Sequence, residues 1–155
     1  DVRQVRAVIG GAQASMLRNH SPVTGLEAKF SLEFAVASAL VARKVGLSEL
    51  TDAFVSTTAV RELMSRVTIS TVDTTCPIEP AVALTDRVEI ELNDGRKFDS
   101  GEIRFARGNS MLPLDAADLR TKFLDCTSGL DGRGSQALYE RLADLRDLRR
   151  LRDLV

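Results

Sequence analysis

The chain has 155 residues, with 21 Lys plus Arg against 22 Asp plus Glu and a net charge of −1, which suits one domain with a real core and gives no basic field for nucleic acid or anionic lipid. No stretch approaches the roughly 18 to 20 apolar residues of a membrane span, and no charged-then-apolar leader opens the chain. Cys76 and Cys126 lie far apart with no CxxC spacing, so a soluble, cytoplasmic protein with free thiols and no zinc site is expected.

Residues 2 to 9, "VRQVRAVI", put Val5, Ala7 and Ile9 on one face and predict a strand that stops at Gly10-Gly11. Residues 12 to 23 lack a clean period and predict a loop. Thr24 and Glu27 form a capping box, in which each side chain satisfies a backbone N–H at a helix start. The helix is predicted to run to about Lys44. From Phe30 to Ala42 its only charged side chain is Glu33, and Leu26, Phe30, Phe34, Ala37 and Val41 with their neighbours wrap most of its circumference. Such a helix expects cover from more than one side.

Two shorter helices follow, over 48 to 54 and 58 to 66, the second with Val60, Leu63 and Met64 as its apolar face. "VTISTV", 67 to 72, is a strand on its β-branched content. After an irregular stretch with Pro77 and Pro80, "RVEIEL", 87 to 92, alternates Val88, Ile90 and Leu92 inward with Arg87, Glu89 and Glu91 outward. Asn93-Asp94-Gly95 supplies the hairpin turn. Phe98 is out of phase with Ile103 and Phe105, so a bulge is expected at Ser100-Gly101. Asp115 caps a helix with Leu119 and Phe123 on its buried side, and a last helix starts at about Ser135 with Leu138, Leu142 and Leu145 on one face. The leucine spacing then tightens to every third residue through Leu148, Leu151 and Leu154.

This layout predicts an α+β fold: a two-layer sandwich of an antiparallel sheet with helices packed on it, plus a C-terminal helical segment. The chain starts abruptly inside structure, as a fragment would. The pool of acid/base groups is thin, with one histidine, His20, and one tyrosine, Tyr139. His20 lies in a loop as an acid, base or donor, against the plain alternative of an exposed loop histidine. Lys29, near the positive end of the long helix, would hold an anion or simply snorkel outward. Arg18 could grip a carboxylate or serve only as surface charge. Gly10-Gly11 has no phosphate-loop pattern after it, "DLRDLRRLRDL" has the alternating signs of a solvated helix, and Ser31 and Ser38 have no paired base.

Taken together, "SPVTGLEAKFSLEFAVASAL" (21 to 40), "KVGLSELTDAF" (44 to 54), "NDGRKF" (93 to 98) and "GNSMLPLDAADLRTKFLDC" (108 to 126) resemble the carboxy-terminal part of the MmgE/PrpD family. That family includes 2-methylcitrate dehydratase, cis-aconitate decarboxylase and iminodisuccinate epimerase. The resemblance implies an α+β lid domain over 1 to 112 and a helical return segment over 113 to 155 that docks on a missing all-helical domain. It further implies a homodimeric lyase or isomerase that takes a small di- or tricarboxylate and removes a proton α to a carboxylate, without metal or cofactor. Family acid/base residues lie on the helical domain or ahead of residue 1, so no catalytic residue carries over; Arg18, His20 and Lys29 are the substrate-binding candidates. Some members place a tyrosine where Met16 to His20 has none, which counts against a decarboxylase. The rival expectations are a stand-alone α+β ligand-binding or structural module, which would cover its long helix by itself, and a split enzyme whose helical half is a separate chain.

Overall fold

The computed structural model describes residues 1–145 and Arg150, and Leu148, Leu151 and Leu154 of the tightened leucine repeat lie outside them. The chain divides into two compact units, Asp1–Ala106 and Arg107–Val155. In the first, strand β1 (Val2–Gly10) runs into a short helix α1 (Gly11–Met16), and helices α2 (Gly25–Ala28), α3 (Leu32–Ala42), α4 (Asp52–Val55) and α5 (Thr58–Met64) precede strands β2 (Val67–Val72), β3 (Arg87–Leu92) and β4 (Lys97–Asp99). The fold class is α+β, as the sequence pattern implies.

The sheet has the order β2-β1-β3-β4. It is mixed rather than purely antiparallel: β1 pairs in parallel with β2 and antiparallel with β3. The parallel pair is possible because five helices separate the two strands, giving the long crossover that parallel neighbours need. Val5 lies between Val67 and Ile90, and Val5, Ala7 and Ile9 are buried, so the period-two pattern in β1 decides which face meets the helices. Gly95, at φ +86°, closes the β3–β4 turn. The bulge is present: Ile90 faces Phe98, but Asp86 faces Ile103, a shift of one residue across a Gly101 at φ +65°.

Three expectations need correction. Residues 11 to 16 are helical, not loop, because Gln13 reaches back so that its Oε1 accepts the amides of Gly10 (3.0 Å) and Ala83 (3.1 Å). The helix from Thr24 does not reach Lys44 unbroken. Ser31 leaves the helical region and caps a new helix by accepting the Phe34 amide at 3.2 Å, so α2 and α3 are separate. Residues 48 to 51 are not helical either; Thr51 caps α4 from 3.2 Å, and the helix starts only at Asp52.

The helical core of the first unit gathers Ala28, Phe34, Ala37, Val55, Val60 and Met64, with Leu50, Phe54 and Leu63 against it. Helix α3 uses one side for this, and its small residues Ala37 and Ser38 are fully buried. Other apolar positions of the α2–α3 stretch stay uncovered: Leu26 is 68% exposed, Phe30 50% and Val41 40%.

In the turn before α4, Glu49 is nearly buried, accepting the Ser48 hydroxyl at 2.7 Å and the Gly46 amide at 2.9 Å. The Ser48 hydroxyl, then the Gly46 amide and the Lys44 charge, hold its carboxyl below the ordinary value against the opposing effect of burial. A carboxyl depressed in the folded state stabilises above its unfolded pKa and loses that contribution as pH falls through the folded one. Thermal unfolding of Glu49→Gln should therefore show a shallower acid-side decline of Tm than the parent chain, and an identical slope would take Glu49 out of the acid response.

In the second unit Asp115 caps α6 (Ala116–Cys126), as expected, accepting the Asp118 amide at 2.7 Å. The last helix, α7 (Gly132–Ala143), begins three residues before Ser135, because Asp131 accepts the Gly134 amide at 2.8 Å. The two helices meet through Phe123 and Tyr139, ring centroids 5.5 Å apart, and through Ser135, which donates to the Thr127 carbonyl at 3.2 Å. No residue of α6 is fully buried, and Leu119, expected inside, is 50% exposed.

Candidate functional site

The loop between α1 and α2 is fastened along the α2–α3 junction. The Asn19 amide donates to the Phe30 carbonyl at 3.0 Å, its side chain donates to the Glu27 carbonyl at 2.9 Å, and Arg18 bridges Ser31 through the backbone. Glu27, which accepts the Thr24 amide at 3.3 Å as part of the capping box, also accepts the Val23 amide at 2.7 Å. The break between the helices thus leaves the Phe30 carbonyl and the extended Ser31 backbone open to pairing, and the loop uses them. A continuous helix would have had no free backbone there.

Arg18 and His20 flank Asn19 on one side of this backbone pairing, and Lys29 precedes Phe30 on the other. Arg18, His20 and Lys29 are all exposed. Lys29 is the C-cap of α2 and sits two residues ahead of the Ser31 cap, so it lies between two helices and not inside the first turns of one long helix. His20 is not a plain loop histidine: its Nδ1 lies 2.7 Å from Glu33 Oε1, with the imidazole 65% exposed and the carboxylate only 8%. Glu33 Oε2 accepts from the Ser31 hydroxyl at 3.3 Å, and that hydroxyl in turn accepts the Phe34 amide.

Beside the imidazole lies a small cleft of about 130 Å³ lined by His20, Ser21, Arg61, Met64 and Ser65. Arg61 spends one N–H on the Pro22 carbonyl at 3.2 Å, which holds the guanidinium by the loop. A guanidinium and an imidazole around a cleft of this size suit one carboxylate group. The outer face of the sheet carries a second concavity, lined by Gln4, Arg6, Glu89, Glu91, Lys97 and Asp99 among others. Its charges largely answer each other, through Arg3–Glu91 at 2.8 Å, Lys97–Glu91 at 3.9 Å and the Arg87–Asp99 pair. Among the described residues no group of three or more His, Cys, Asp or Glu is placed to hold a metal ion, and no helix is long and apolar enough to cross a membrane.

The sequence matches the MmgE/PrpD C-terminal domain over residues 1–145. The chain belongs to the MmgE/PrpD family. That family is associated with lyases and isomerases that act on carboxylates. No curated protein matches the chain. In this MmgE/PrpD domain, sequence reasoning singled out Arg18, His20 and Lys29 but not Glu33 and Arg61, the two neighbours of His20. Glu33 announced itself only as the single charge in an apolar helix, and Arg61 gave no signal, since its place by Pro22 depends on how α5 packs.

Proposed function

We propose that this chain forms one wall of the active site of a cofactor-independent MmgE/PrpD enzyme that removes a proton α to a carboxylate of a small di- or tricarboxylate, with epimerisation or elimination to follow. The observation that supports the reading is the small cleft shared by His20 and Arg61, with Arg18 and Lys29 exposed on the two segments that pair beside it in sequence. Removing an α-proton puts negative charge on the substrate, and the cationic Arg18, Lys29 and Arg61 side chains can stabilise that charge without reorganising. The uncovered apolar side chains Leu26, Phe30 and Val41 supply a seam for an all-helical domain carrying the remaining acid/base groups. A homodimer and a cytoplasmic location belong to the same reading. The chain by itself is inactive.

The test is to mix the chain with a candidate helical half and follow exchange of the α-proton for deuterium across a panel of small di- and tricarboxylates. Exchange is expected in the mixture alone, and the triple variant Arg18→Gln, His20→Gln, Lys29→Gln should lower kcat/KM by about a hundredfold or more, the scale of one lost charge-stabilising donor. Unchanged kcat and KM in that variant would remove the three cations from the site. Exchange by the chain alone would relocate the catalytic groups, and no exchange in the mixture would favour a stand-alone binding module.

A further inference from the structure

The His20–Glu33 contact says more than that a cation is nearby. A carboxylate has no hydrogen to give, so the 2.7 Å contact with Nδ1 requires the proton to sit on Nδ1. The carboxylate is itself fixed, being 8% exposed and held on its other oxygen by Ser31. Its helix, α3, is anchored by the fully buried Phe34 and Ala37, so the acceptor cannot follow a reoriented ring. A free histidine side chain in water prefers its proton on Nε2. Here the Glu33 contact favours the reverse, with Nε2 left unprotonated on a ring that is largely exposed.

We propose that Glu33 is a positioning residue that holds His20 as the Nδ1–H tautomer and so makes Nε2 a proton acceptor beside the Arg61 cleft. Under the carboxylate reading above, on which this role rests, the substrate C–H bond breaks as an Nε2–H bond forms. The electron pair left on carbon delocalises into the α-carboxylate, for which Arg61 is the nearby cation, and the new imidazolium charge is met by Glu33. His20 thus becomes a further cation at the same moment as the negative charge appears.

His20 is the only histidine in the chain, so long-range proton–nitrogen NMR spectra of the whole 155-residue chain report its tautomer without assignment. Above the pH range where an imidazole is charged, the Nδ1–H form should exceed the Nε2–H form by roughly tenfold or more, as a hydrogen bond to a charged acceptor implies. Glu33→Leu should return the ring to an Nε2–H majority. Should that variant fold poorly, Glu33→Gln, which keeps shape and an acceptor but not the charge, should give an intermediate ratio, while a purely structural Glu33 would leave the ratio of a folded variant unmoved. An Nε2–H majority in the parent chain, or variant ratios equal to the parent's, overturns the proposal. Neither substrate nor helical half enters this measurement, so its failure and that of the exchange assay are told apart.

Discussion

Replacing Phe34 by alanine should cost about 3 to 5 kcal/mol of stability, the range for emptying a fully enclosed aromatic site. Phe34 is 0% exposed, meets Phe54 edge to face with ring centroids 6.1 Å apart, and stands at the centre of the cluster that joins α3 to α4 and α5. Because domains are stable by only about 5 to 15 kcal/mol, a loss of this size consumes much of the reserve. Phe34 also donates its amide to the Ser31 hydroxyl that holds Glu33, so the His20 contact should loosen in the same variant. Phe30→Ala is the matched control: half exposed, it should change stability by no more than about 0.5 kcal/mol, as surface changes do. Urea unfolding of both variants decides it. Equal costs would mean that α3 does not organise the core.

Gly25→Ala should be nearly as damaging, for a steric reason. A Cβ at this position would lie 2.2 Å from the Leu50 carbonyl oxygen, 2.6 Å from its carbon and 2.9 Å from the Thr51 nitrogen, all backbone atoms that cannot rotate away. The approach is fixed further by the Gly25 amide, which donates to Asp52 Oδ1 at 2.7 Å. Relieving the clash means moving α2 away from the turn before α4, an overpacking cost of about 3 kcal/mol or more. Gly11→Ala supplies the comparison, since nothing lies within 4 Å of a Cβ there, and it should be neutral or slightly stabilising. A Gly25→Ala chain with the parent's urea midpoint would show that α2 and the 50–51 turn are not in this contact.

What could be read from the residues was what local chemistry decides. The strands at "RVEIEL" and at 67 to 72, the bulge at Ser100-Gly101 and the caps at Thr24 and Asp115 each depend on a few neighbouring side chains, and all are present, although burial does not alternate along β3, where Val88 to Leu92 are all half-buried. The misses share a different cause. α1 is secured by Gln13 contacting Ala83, seventy residues away in sequence. The break at Ser31 looks like helix interior until the loop at 18 and 19 pairs with its backbone. The β1–β2 pairing direction follows from the crossover length, not from either strand's composition. In the candidate site the cations were legible as charges in a loop and near a cap, whereas the Glu33 partner and the Arg61 cleft exist only once α3 and α5 have packed.

The position of β1 in the sheet bears on how the chain acquires its shape. As the inner strand bonded to β2 on one edge and β3 on the other, it leaves the ribosome before either companion, and its first neighbour begins at Val67. Until then Val5, Ala7 and Ile9 have no strand to shelter against, and two open edges invite pairing with other nascent chains. Such distant pairings are slow to close. Biogenesis, more than the finished globule, is where this polypeptide is most vulnerable, and expression should respond to chaperone supply before it responds to surface mutations.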